Sequence, residues 1–134
     1  MNVFRLNEKD WLLNSPAPTE AILEVEGILG HPLPRAYKTF LEHHNGGEGR
    51  VPDYYVIFWE VGDLIEFNRD YEVAEYAPGI FVFGSNGGGE GYAFDMRSPE
   101  WPVVKVPFIG MSLEDALPTA SNFADFLSLL EDKG

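Results

Sequence analysis

The chain has 134 residues, 45% of them hydrophobic and 14% aromatic. A chain of this size and make-up closes a globular core without a metal or a disulfide, and is not disordered. Its 22 Asp and Glu against 9 Lys and Arg leave a formal net charge of −13, which opposes nucleic-acid phosphates and anionic membranes and favours a basic partner, although such charge also serves plain solubility. The absence of cysteine excludes disulfides, thiol catalysis and cysteine-ligated zinc.

In chain order, the first ten residues carry charges and no apolar signal core, and no stretch reaches membrane-spanning length, so a cytoplasmic protein is expected. Residues 1 to 14 are expected to hold a short helix capped by Asn7, with Trp11, Leu12 and Leu13 docking on the core. Pro16 and Pro18 follow. The first full helix runs from about Thr19, as its cap, to Leu29, with Ile22, Val25 and Leu29 at helical spacing and Gly30 as the stop. A second helix opens with Pro34 in its first turn. Tyr37, Phe40, Leu41 and His44 share one face, and Asn45-Gly46-Gly47 end it.

Tyr54 to Trp59 is a continuous β-forming run, expected to be a central strand covered on both faces. Val61 to Tyr71 has helical spacing. Ile80 to Phe83, then Gly84, Gly87, Gly88 and Gly89, then Tyr92 to Asp95 read as strand, glycine turn and strand, with positive φ in the turn. A phosphate cradle would need Lys and Ser or Thr after the glycines, or a helix opening there; Glu90 and a strand stand instead. Val103, Val104 and Val106 form another strand between Pro102 and Pro107, Phe108 to Pro118 is irregular, and Asn122 to Glu131 is a helix capped by Ser121, its stripe formed by Phe123, Phe126, Leu127 and Leu130. Short turns between clustered strands argue for one α+β domain over residues 1–134, with a mostly antiparallel sheet and helices packed to one side.

Leu33-Pro34 with Tyr37 and Phe40-Leu41, Asn45-Gly46-Gly47, Pro78-Gly79, the Gly84 to Asp95 hairpin, and Phe123 with Phe126-Leu127 together resemble the SMI1/KNR4 (SUKH) superfamily over roughly residues 19 to 130. The resemblance implies an SMI1/KNR4-like fold. Bacterial members are similar to immunity proteins that bind and neutralise secreted toxins, many of them nucleases. It therefore implies a non-enzymatic protein-binding module that blocks a toxin domain by occlusion, and the net charge of −13 adds the expectation that this partner is basic. A regulatory or scaffolding module for a cellular protein is the alternative, and a small hydrolase a third class.

Candidate chemistry is sparse. His43 and His44 are adjacent and point about 100° apart on a helix, which does not suit one metal ion. Ser85 in Gly84-Ser85-Asn86-Gly87 lacks the nucleophile-elbow pattern. Glu24/Glu26 and Glu114/Asp115 read as solvated acids, and Tyr54, Tyr55, Phe58, Trp59, Tyr92 and Phe94 lack the basic neighbours of a base-stacking platform. No catalytic, cofactor or metal residue is singled out. The middle third carries Glu48, Asp53, Glu60, Asp63, Glu66, Asp70, Glu72, Glu75, Glu90 and Asp95, offset only by Arg50 and Arg69. Of these, Glu48, Asp53, Glu90 and Asp95, with Tyr54 as an aromatic anchor, are the expected partner-binding residues.

Overall fold

The computed structural model describes residues 10–131. Seven strands hydrogen-bond in chain order, each antiparallel to the next: β1 (Trp11–Leu13), β2 (Gly47–Val51), β3 (Tyr54–Phe58), β4 (Ile80–Ser85), β5 (Glu90–Asp95), β6 (Val103–Pro107) and β7 (Leu117–Ala120). The helices are α1 (Thr19–Leu29), α2 (Arg35–His43), α3 (Leu64–Asp70), α4 (Val73–Tyr76) and α5 (Phe123–Leu130), with a 3-10 turn at Val61–Asp63. The expected α+β fold with an antiparallel sheet is what forms.

Aromatic side chains weld α2 and α5 to one face of the sheet, here called the front. Phe40 meets Phe58 at 4.6 Å between ring centroids, Tyr37 meets Phe94 at 5.1 Å, and Tyr92 meets Phe126 at 5.1 Å. Each such pair contributes on the order of 1 kcal/mol beyond its buried area. Successive residues of a strand face opposite sides. Gly91, next to Tyr92, therefore faces the reverse side, where the Phe108 ring and Val82 lie over it. Trp59, Phe67, Tyr71 and Phe108 build a smaller aromatic patch there, with Tyr71 stacked on Phe108 at 4.2 Å.

The seam between β3 and β4 is short. Only Ile57↔Ser85 and Phe58↔Gly84 pair, after which Trp59 N–H donates to Phe83 O at 3.0 Å and the chain leaves the sheet. Asn68 of α3 then takes the vacated edge: its Nδ2 donates to Val82 O at 2.8 Å and its Oδ1 accepts from Val82 N–H at 2.8 Å. One side-chain amide thus stands in for a strand residue and satisfies two backbone groups that burial would otherwise penalise. The expected full coverage of β3 is corrected accordingly. Val56 and Phe58 are buried, while Tyr54, Tyr55 and Ile57 are half-buried, because Tyr54 and Tyr55 border one open groove and Ile57 another.

Other differences sit at ends and edges. The expected N-terminal helix is instead β1 where it is described, with Trp11 buried and Leu12 78% exposed, the alternation of a strand; Asn7 lies outside the described residues. β1 pairs with β2, whose Gly49 leaves the space that the Trp11 ring fills. Pro18, not Thr19, holds the α1 cap position, Pro34 that of α2, and Asn122 caps α5 by accepting from Asp125 N–H at 2.8 Å, in place of Ser121. The stretch read as one helix from Val61 to Tyr71 is the 3-10 turn followed by α3. The segment read as irregular up to Pro118 ends in β7, an edge strand where proline is tolerated.

The glycine turn behaves as expected: Gly87 and Gly89 have φ of 72° and 96°. Asn86 Oδ1 accepts from Gly88 N–H at 2.9 Å and Glu90 N–H at 3.1 Å, so these amides serve the turn itself.

A Cβ at Gly87 would sit 2.8 Å from Tyr55 Cε2 as well as at positive φ. Gly87→Val is expected to lower the unfolding free energy by about 1–2 kcal/mol in urea titration. Tyr37 is 1% exposed, its hydroxyl has no hydrogen-bond partner among the described residues, and burial pushes its phenol well above the ordinary range. Tyr37→Phe removes an unsatisfied buried hydroxyl and is expected to raise stability, by on the order of 1 kcal/mol in the same assay.

Candidate functional site

The β2–β3 hairpin carries most of the chemistry proposed from sequence, and its register sorts that chemistry onto two faces. Tyr54 lies on the front face with Val56 and Phe58. Tyr55 and Ile57 lie on the reverse face, opposite Arg50 and Glu48. The Tyr55 hydroxyl donates to Glu48 Oε2, and the Arg50 guanidinium lies 5.2 Å from the Tyr55 ring centroid. The hydrogen bond to Glu48 raises the Tyr55 pKa, with burial and the Glu48 charge adding to it and Arg50 opposing. Tyr55 therefore stays a neutral donor that orients the carboxylate.

A groove of about 410 Å³ opens on the front face past the helices, with Asp53, Tyr54, Tyr92 and Lys105 among its walls. Glu90 stands nearby, held by Asn86 Nδ2 at 3.0 Å and by Lys105 Nζ at 3.8 Å. Burial, then Tyr54 and Glu90, raise the Tyr92 phenol above its ordinary value. This groove mixes charges of both signs.

A second groove of about 580 Å³ lies on the reverse face, where β3 gives way to the Val61–Asp63 turn and α3. Leu12, Ile57, Phe67 and Trp59 form its apolar surface and Glu48, Glu60 and Asp63 its acidic one; among the described residues no Lys or Arg lines it. From sequence, Glu60 and Asp63 belong only to a general acidic stretch, and Leu12 is expected to dock on the core, whereas it is exposed at the groove because it alternates with the buried Trp11. The signal was the alternation of Tyr54 to Trp59, which assigns Ile57 and Trp59 to one face.

Asp95 stands apart, at the other end of β5 from Glu90, roughly 17 Å along the strand. Arg97 grips it with two bonds of 2.9 Å, Nε to Oδ1 and Nη2 to Oδ2, and Arg97 N–H adds a third at 3.1 Å. Among the expected residues, then, Asp53 and Tyr54 share the front groove with Glu90 beside it, Glu48 faces the reverse groove, and Asp95 joins neither.

Several of the residues weighed for metal binding or catalysis have structural partners. His43 Nδ1 lies 2.9 Å from Thr39 O and His44 Nδ1 lies 3.1 Å from Asn14 O. Glu26 braces the α1–α2 connection by accepting from Leu33 N–H at 2.8 Å and pairing with Lys38 at 3.4 Å. Asp115 accepts from Ser112 Oγ at 3.1 Å. Among the described residues no three His, Asp or Glu side chains converge as metal ligands, and no helix is long and apolar enough to cross a membrane. Phe58, Trp59, Tyr92 and Phe94 are buried in the core.

The model of the SMI1/KNR4 family (SUKH-1) matches residues 16–129, and the chain belongs to that family. No curated protein matches it.

The Arg97 side-chain hydrogen bond, reinforced by its backbone bond and charge, holds the Asp95 carboxyl below the usual carboxylate range against the opposing effect of burial. A depressed folded-state pKa contributes stability that is present above the unfolded value, about 3.9, and is lost as pH falls through the folded value. Arg97→Ala is expected to move the Asp95 titration upward, read by carboxyl-carbon NMR, and to remove that acid-side part of the stability profile.

Proposed function

We propose that this chain is a non-enzymatic binding module that acts in the cytoplasm as an immunity protein, neutralising a toxin by occlusion, with nucleases among the candidate toxins. Membership of the SMI1/KNR4 family (SUKH-1), matched over residues 16–129, is the observation that carries this reading. The net charge of −13 supports a basic partner, because opposite charge speeds encounter and disfavours anionic competitors. No bond is made or broken in the mechanism. An acidic surface covers the toxin's basic active site and keeps its substrate out.

The partner-facing region is the β2–β3 hairpin and the turn beside it, with Glu48, Asp53 and Glu90 supplying charge and Tyr54 a half-buried aromatic contact. Asp95, already neutralised by Arg97, contributes least.

The test begins with capture of the partner from the native host and continues with stopped-flow kinetics across a salt series. Exposed charges are screened beyond about 8 Å at physiological ionic strength. The association rate is expected to fall by about tenfold from low to high salt, with dissociation changing less. Glu48→Lys and Asp53→Lys slow association, while Tyr54→Ala speeds dissociation. An acidic partner or a salt-independent association rate would overturn the electrostatic mechanism, and failure to capture any protein would overturn the binding role.

A further inference from the structure

We propose that the reverse-face groove seats an arginine or lysine side chain from a basic segment of the protein partner, an inference that rests on the protein-binding reading above. The occupant is defined by what the groove offers. Leu12, Ile57 and Phe67 present apolar surface, and Glu48, Glu60 and Asp63 surround it with negative charge that no lining cation compensates among the described residues. A purely apolar occupant would strip water from these carboxylates and return nothing. An anionic occupant would be repelled. A long cationic side chain satisfies both surfaces, laying its methylene stem on the apolar floor and its charged head among the carboxylates. Arginine fits better than lysine, because its planar fork binds carboxylates in pairs and stacks on aromatic rings, here Phe67.

The carboxylates are available for this role. Glu48 is oriented by a neutral donor, the Tyr55 hydroxyl. Glu60 is exposed, and Asp63 sits at the α3 cap position without making a side-chain cap bond. None of the three has an ion-pair partner among the described residues. The front groove lacks this character, since Lys105 is built into its wall and pairs with Glu90.

The probe is N-acetyl-arginine methylamide, titrated into the ¹⁵N-labelled full chain, with the uncharged citrulline analogue as its control. Saturable shifts are expected at Leu12, Glu48, Phe67 and the Trp59 indole, with the citrulline analogue about tenfold weaker or worse. The E48Q/E60Q/D63N variant is expected to lose the saturable response, and D53N/E90Q to keep it. If the triple variant does not fold, each single substitution is expected to weaken the response. Shifts clustered at Tyr54 and Tyr92, shifts spread without saturation over the acidic surface, or an unchanged response in folded variants would overturn the assignment. The captured partner separates the two readings. A partner retained at full affinity by E48Q/E60Q/D63N overturns the groove and leaves the binding module standing. An arginine-specific groove with no protein captured from the native host overturns the binding module and leaves the groove standing.

Discussion

The short seam between β3 and β4 is the constraint on which the rest of the surface depends. With only Ile57↔Ser85 and Phe58↔Gly84 paired, the sheet holds together at its middle and diverges at both ends of the seam. At one end Tyr54 stands across open space from Tyr92, which gives the front groove. At the other the chain leaves after Trp59, and Asn68 fills the place of the missing strand at Val82. That substitution spares the buried Val82 amide and carbonyl a penalty of about 1–3 kcal/mol each, and it seats α3 so that Phe67 reaches the reverse groove.

Electrostatics adds a second division. Basic residues are scarce, and several are already committed: Lys38 to Glu26, Arg97 to Asp95, Lys105 to Glu90, and Arg50 to the Tyr55 ring. What is left uncompensated gathers where none of the described residues supplies a cation, and the reverse groove is such a place. The excess of acids strains the folded state by mutual repulsion. A densely aromatic core opposes that strain, with Phe40, Phe83, Phe94 and Phe126 fully buried and in ring contact with their neighbours.

Much of the fold was legible in the sequence where apolar periodicity and punctuation agree. The α1 range, the Tyr37, Phe40 and Leu41 face of α2, the glycine hairpin and the α5 stripe all follow from spacing, and the ordered motifs point to the family; His44, expected on the α2 face, is instead the extended residue that ends the helix. What escaped was pairing without side-chain signal. β2, with the sequence Gly-Glu-Gly-Arg-Val, has almost no apolar residue to announce it and exists because β3 lies alongside. β7 contains Pro118, and β1 is only three residues long. Of the site, the acidic residues could be named but not sorted. Glu48 and Tyr54 are both in the hairpin, yet they face opposite sides, and only the register fixes that. Asp95 looked like any other acid until Arg97, two residues on, was seen folded back onto it.

The core and the candidate surface share few residues, and this has a physical consequence. Leu12, Glu48, Asp53 and Glu60 are exposed, and substitutions at such positions usually change stability by less than about 0.5 kcal/mol. Truncating Phe40 or Phe126 would cost several times more, on the order of 3–5 kcal/mol. A scaffold arranged in this way can change what it recognises without changing how it folds. Under the proposed binding role, the hairpin rim and the reverse groove set the charge and shape offered to a partner, and the packed rings beneath hold them in place whichever partner that is. Trp59 and Phe67 are where the two layers meet: they pack against each other at 5.0 Å and also line the reverse groove, so a contact made there bears directly on a fixed aromatic support.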